Sequence, residues 1–443
     1  MRTKTALVSG FGFRVSKTPR KTPRNSKLET RNAVHASGDY LVGGVNSPVR
    51  AFRHVGAEPL IVKSARGAEI TDTRGRAYTD FISAWGALIL GHNPPAVTAS
   101  LRQALTRGAI FGLTCPAEHE LAAAIAGSTP AIERVRFTAS GTEACMTAVK
   151  LARACTRRSK ILVFDGGYHG HADALLGPTS AGVPATVTAE VIRVPYNDPE
   201  SCSRALQRHA GEFACAIVEP VAANMGLVLP EPGFLEAVRR RTAEAGALLI
   251  FDEVVTGFRL GYGGHRSAGT VTPDLTVFGK IIGGGLPIGA VGGPAALMSR
   301  LAPEGDVYHG GTFAGHPLAM AAGVATLRAL QARPPYERLD ALGAQLAEGL
   351  EALGRSLGVP LRVNRAGSML TAFFTEGPVR NLEDAKRTDR TLFARWANGL
   401  RRRGILVPPS PLEAMFLMTA HTGRHVDQAL TTSRSALADT NGR

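Results

Sequence analysis

Five short apolar runs, closed by small or polar residues and separated by stretches of helical spacing, constrain this chain more than any other feature. They are RVRFTAS (134–140), KILVFDG (160–166), CAIVEPV (215–221), ALLIFDEV (247–254) and LTVFGK (275–280). Runs of this length and uniform apolarity read as strands buried on both faces of a mostly parallel sheet. The stretches between them, such as EACMTAVKLARACT (143–156) and GFLEAVRRRTAEAG (233–246), carry helical spacing. The pattern predicts an α/β domain over residues 86–325. In open sheets of this kind ligands sit beyond the carboxyl ends of the strands, so the polar residues that close the runs are the first candidates for chemistry. After residue 326 the pattern turns to long helices and isolated strands, including SMLTAFFTEG (368–377), which predicts a smaller α+β domain over 326–443. Residues 33–85 are expected to serve that small domain and the substrate pocket. No internal repeat is visible.

Composition narrows the setting. The 443 residues are 44% hydrophobic, enough for two or three domains with a sizeable core. No apolar run approaches the roughly 20 residues that span a bilayer, and the first residues lack a compact secretory stretch, so a cytoplasmic protein is expected. Five cysteines, odd in number and without a CxxC pair, argue for reduced thiols over disulfides or a zinc ribbon. The formal charge of +15 raises nucleic acid as a partner, but much of it lies in one segment. From Arg2 to Arg31 there are nine Lys or Arg residues against the single acid Glu29. Residues 1–32 therefore read as a disordered basic arm, a tail or the product of a mis-assigned start. A plastid or mitochondrial transit peptide shares that composition, although amphipathic periodicity is weak here. Nucleic-acid binding would rest on this arm alone. The basic cluster Arg401 to Arg403 reads as a solvated helix face.

Two strand ends form a set. FDEVVTG places Asp252 and Glu253 at one, and FGKIIGGGLPIGA places Lys280 after another, between Phe278 and Ile281 and ahead of three glycines. A lysine in apolar surroundings loses solvation of its ammonium form, which makes the free amine accessible for Schiff-base formation. Alone, it would read as a surface lysine. A buried carboxylate at a neighbouring strand end changes that, because a pyridinium that serves as an electron sink needs such a counter-charge. His169 and His171 with Asp173 are too few for a metal site, and glycines 283–285 do not form GxGxxG after a strand.

With these residues in view, the chain resembles the class III aminotransferases, pyridoxal-5'-phosphate enzymes of fold type I, over about residues 38–430. Within them it is similar to the glutamate-1-semialdehyde 2,1-aminomutase branch. The resemblance is carried by GGVNSPVRAF (43–52), SGTEACMTAVKLAR (140–153), YHGHAD (168–173), VEPVAANMG (218–226), FDEVVTGFR (251–259), PDLTVFGKIIGGGLPIGA (273–290), GTFAGHPLAM (311–320), FFTEGPV (373–379) and EAMFLMTAHT (413–422). It implies that Lys280 carries the cofactor and Asp252 holds the ring nitrogen protonated. Ser140, Gly141 and Thr142 would hold the phosphate at a helix N-terminus, where a plain helix cap is the other reading. Tyr168 and Val254 would flank the ring. Asn224 would face the ring hydroxyl, a task that ordinary members give to a Gln where this chain has Val255. Thr312 would reach the phosphate of a neighbouring subunit, which implies a homodimer with shared active sites.

For the substrate, the resemblance implies that the planar fork of Arg50 binds a carboxylate, with Ser47 and Trp85 lining the pocket. Glu413 would face the substrate and pair with Arg50 in the empty site. Glu219 and Glu253 are expected to be structural. Three departures stand out: Ala139 before SGTEA, His316 before Pro317, and a segment ALLGPTSAGVP (174–184) shorter than the mobile lid of the aminomutases. A short lid would let a diamino intermediate escape, which keeps open an aminotransferase acting on another amino or keto acid. A catalytically silent homologue is the non-enzyme alternative, against which the intact Lys280, Asp252 and phosphate set speaks.

Overall fold

The structure, a computed structural model, describes residues 40–176, 180–265, 269 and 271–441. The basic arm expected over 1–32 and residues 177–179 of the short lid segment lie outside the described residues. The chain divides into a unit of residues 1–48 and one of residues 49–443, and everything below concerns the second unless stated.

Among the described residues, fourteen strands form three sheets. β1 (Val62–Arg66), β2 (Glu69–Asp72) and β3 (Ala77–Asp80) make an antiparallel meander. The central sheet comprises β4 (Arg134–Thr138), β5 (Lys160–Phe164), β6 (Val191–Val194), β7 (Phe213–Val218), β8 (Leu248–Asp252), β9 (Leu275–Gly279) and β10 (Gly289–Gly293), in the order β4-β10-β9-β8-β7-β5-β6. β11 (Arg362–Ala366), β12 (Met369–Phe373) and the short β14 (Met415–Phe416) form an antiparallel third sheet. Between them in sequence, β13 (Ile405–Leu406) crosses back to pair in parallel with β3.

All five apolar runs are strands of the central sheet, which gives the α/β class expected. β7 and β9 are buried at every position, as two-sided coverage by helices requires. The sheet is mixed rather than parallel throughout, because β10 runs antiparallel to both β4 and β9. Its sequence, GAVGG, has little strand propensity. What places it is close approach: a Cβ on Gly289 would sit 2.1 Å from the Ser140 carbonyl oxygen.

The segment after β3 is unusual. Ser83, Ala84 and Trp85 have φ of 49°, 51° and 58°, and Gly86 follows at 83°, a left-handed turn with three consecutive side-chain-bearing residues. Each such residue costs about 1–2 kcal/mol relative to the right-handed conformation, so the fold must hold this turn from outside. Among the described residues no helix is long and apolar enough to cross a membrane.

Candidate active site

The site is built from the carboxyl ends of β4, β5, β7, β8 and β9. Asp252, the last residue of β8, is 4% exposed. Its Oδ2 accepts from His169 Nδ1 at 2.7 Å and from the Cys145 thiol at 3.4 Å, and its Oδ1 accepts from the Val254 amide at 3.0 Å. An ionised carboxylate only accepts, so His169 carries its proton on Nδ1. The imidazole is itself buried, and its Nε2 has no hydrogen-bond partner among the described residues. Both His169 and Cys145 were missed as partners of Asp252 from sequence. His169 stood only as a candidate metal ligand, and the motif SGTEAC carries no sign that its cysteine turns toward a strand two blocks away.

Glu219, immediately after β7, organises two expected cofactor residues at once. Its Oε1 accepts from the Tyr168 amide at 3.0 Å, and its Oε2 accepts from the Ala223 amide and from Asn224 Nδ2, both at 2.9 Å. Burial pushes its carboxyl pKa up, the nearby His169 opposes this, and Asp252 adds to it. Its two oxygens accept three N–H donors in all. Tyr168 is half exposed, so one end of this network opens outward.

Lys280 directly follows β9 with φ of 51°, a strained conformation for a residue with a Cβ. Loss of solvation lowers its pKa, opposed by the carboxylates of Glu219, Asp252 and Glu413 and reinforced slightly by Arg259. Val254 joins two parts of the site. A Cβ on Gly141 would lie 3.1 Å from its Cγ2, and one on Gly279 would lie 3.3 Å from its Cγ1, so the side chain fills the space between the helix start and the strand that delivers Lys280.

Ser140 caps the sixteen-residue helix Gly141–Thr156 by accepting from the Glu143 amide at 3.2 Å. Glu143 Oε2 accepts in return from the Ala139 amide at 2.8 Å, one residue before the cap. The cap therefore exists whatever else Ser140, Gly141 and Thr142 do, and the first turn keeps the positive end of a long helix. The YHGH turn lies against it: a Cβ on Gly170 would approach Thr142 Oγ1 to 2.4 Å. His316 is likewise a cap, accepting from the Leu318 amide at 3.3 Å at the head of the helix Pro317–Ala332. An Asn serves the same backbone role, so this departure leaves the helix start intact.

The expected substrate residues divide. Trp85 is partly buried on the left-handed turn, and Glu413 is partly buried with its pKa raised to about 7 by burial, an effect that the Lys280 ammonium partly offsets. Arg50 is exposed on the 3-10 turn Pro48–Ala51 and has no ion-pair partner among the described residues. The expected pairing of Glu413 with Arg50 is therefore not formed: Glu413 is enclosed on the Lys280 side while Arg50 stays in solvent. Ser47 belongs to the unit of residues 1–48. Thr312 is exposed, close in sequence to Tyr308 and Phe313, which are 74% and 58% exposed. Glu253 is structural as expected, accepting from the His265 amide at 2.6 Å and the Thr256 hydroxyl at 2.9 Å.

A buried carboxylate braced on one oxygen by a histidine, a desolvated lysine at the next strand end and a capped helix N-terminus together suit a phosphorylated pyridine aldehyde. Residues 52–432 match the class III aminotransferase family, and the chain belongs to it. Its cofactor is pyridoxal 5'-phosphate. The chain is 48% identical over 415 residues to the glutamate-1-semialdehyde 2,1-aminomutase of Thermomicrobium roseum, covering 91% of this chain and 96% of that one. It is 46% identical over 410 residues to the enzyme of that name from Desulfosudis oleivorans, covering 90% and 96%. Among solved structures, an omega-transaminase from Sphaerobacter thermophilus superposes with a TM-score of 0.88 at 34% identity, covering 94% of this chain and 98% of that one. A glutamate-1-semialdehyde-aminomutase from Pseudomonas aeruginosa in complex with PMP superposes with a TM-score of 0.83 at 26% identity, covering 93% and 94%.

Proposed function

We propose that this chain is a glutamate-1-semialdehyde 2,1-aminomutase, converting glutamate-1-semialdehyde to 5-aminolevulinate, and that it works in the cytoplasm as a homodimer. The observation that carries the reading is the anchored amide of Asn224, held by Glu219 Oε2, together with a buried Val255 that has no polar group to offer a ring hydroxyl. The relatives of that name at 44–48% identity over about nine tenths of the chain support it.

When bound, the cofactor supplies a carbonyl carbon for amine attachment and an electron-withdrawing ring. Lys280, whose pKa desolvation lowers, is the group that would carry the cofactor and move protons at the substrate carbons. Asp252 would face the ring nitrogen as its counter-charge, and His169 fixes the Asp252 carboxylate in place. Tyr168 and Val254 flank the ring, and Asn224 meets its hydroxyl. Ser140, Gly141 and Thr142 receive the phosphate, completed by Thr312 from a second copy. Arg50, with Trp85, takes the substrate carboxylate, and Glu413 stands on the Lys280 side as an acid whose pKa of about 7 suits proton exchange near neutrality.

A second reading is intermolecular transamination of another amino or keto acid, favoured by the short segment 174–184 and by the likeness to the omega-transaminase. Supplying glutamate-1-semialdehyde without an amino donor separates the two. Sustained 5-aminolevulinate formation supports the mutase, and turnover only with an added donor supports the transaminase.

A further inference from the structure

We propose that Arg259 is a positioning residue, whose guanidinium clamps the left-handed turn Ser83–Gly86, and with it Trp85, onto the chain segment that follows Glu413. The inference rests on the reading above that Trp85 and Glu413 line the substrate pocket. Arg259 is 1% exposed, yet among the described residues it has no carboxylate within ion-pair distance. Its partners are neutral oxygens from two sides. Nη2 donates to the Gly86 and Leu88 carbonyls at 3.0 and 2.9 Å. Nη1 donates to the Ser368 hydroxyl at 3.1 Å and the Leu417 carbonyl at 3.2 Å, and the guanidinium carbon lies 5.1 Å from the centre of the Phe416 ring.

A buried cation held only by dipoles and a ring face is costly, and its geometry shows what the cost secures. The strained turn has backbone bonds of its own, from the Trp85 amide to Ile82 and from the Gly86 amide to Ser83, and is braced from outside as well. Asp80 Oδ1 accepts from the Ile82 and Ser83 amides at its entry, and the Ser83 hydroxyl donates to the Phe416 carbonyl at 3.0 Å. Its exit, at Gly86 and Leu88, is held by Arg259. The fit is tight: a Cβ on Gly86 would lie 2.8 Å from the Phe416 ring. The same exit reaches the catalytic side, since a Cβ on Gly285, five residues after Lys280, would lie 3.3 Å from Leu88. A planar fork is needed to reach two carbonyls on one side and two acceptors on the other. A lysine ammonium is a point charge and cannot span them.

The clamp is tested by the fluorescence of Trp85, made the sole tryptophan by Trp396→Phe, since the chain has two. In that background, Arg259→Lys keeps the charge and loses the fork, whereas Gly86→Ala leaves Arg259 untouched and forces the turn off Phe416. Both are expected to increase acrylamide quenching of Trp85 without substrate, and to raise KM for glutamate-1-semialdehyde about 10-fold while kcat holds within about 3-fold, because the pocket wall is lost equally in ground and transition states. A folded Arg259→Lys protein with unchanged quenching overturns the clamp. Increased quenching with unchanged KM overturns the positioning role and leaves Arg259 structural. If Arg259→Lys does not fold, Gly86→Ala decides by the same two readings. If the parent protein does not turn over the semialdehyde, the proposed function fails, and quenching alone still decides the clamp.

Discussion

His169 Nδ1 lies 2.7 Å from Asp252 Oδ2, with both side chains buried. The histidine thereby occupies one carboxylate oxygen, and the other accepts from the Val254 amide. His169→Ala strips a buried carboxylate of its strongest donor. A stability loss of about 1–3 kcal/mol is expected by urea denaturation. Cys145→Ala, which removes a longer and weaker thiol contact, is expected to cost about 1 kcal/mol or less. Equal losses in the two variants would show that His169 braces nothing in particular.

Lys280→Ala is expected to abolish turnover together with borohydride fixation of the cofactor, because no other amine is placed at this strand end. Peptide mapping after borohydride treatment checks it. A reduced adduct on a different lysine of the variant would refute the assignment.

Asp252→Asn is expected to keep the cofactor while lowering kcat on the order of 100-fold or more, since an amide cannot hold the ring nitrogen protonated. Absorbance of the purified variant reports cofactor content, and steady-state rates report the loss. Near-normal rates would count decisively against the role given to Asp252.

The carboxyl of Glu413 is raised from 4.5 to about 7, first by burial. Across that window the folded state binds more protons than the unfolded chain, so stability falls as pH rises, by at most about 1.4 kcal/mol per pH unit for one group. Glu253, also raised to about 7 by burial, contributes with the same sign. Urea titrations of the cofactor-free protein across the window should show a decline that Glu413→Gln reduces and does not abolish. An unchanged slope would mean that Glu413 titrates normally.

The strand ends were legible because both the scaffold and the chemistry obey local rules. Apolar runs of five or six residues mark buried strands, and their closing residues Ser140, Glu219, Asp252 and Lys280 fall where a ligand meets an open sheet. β10 was not legible: GAVGG has no strand propensity, and the space that admits it is made by Ser140 and β4. The brace of His169 on Asp252 was hidden for a related reason, since the two residues are 83 positions apart and meet only when β5 and β8 are placed in one sheet. Nor did SAWG announce a left-handed turn, because three residues with side chains take up that conformation here against contacts from Asp80, Phe416 and Arg259, all distant in sequence or outside the motif.

The most direct test of the whole account charges the purified protein with pyridoxamine 5'-phosphate and mixes it with glutamate-1-semialdehyde in the absence of any amino donor. Product and free diamino compound are followed together. Many turnovers of 5-aminolevulinate per site, with little diamino compound released, are expected if the segment 174–184 closes the site well enough for the amino group to stay in one molecule. A single turnover that stops until an amino donor is added, with diamino compound accumulating in step, would contradict the aminomutase assignment.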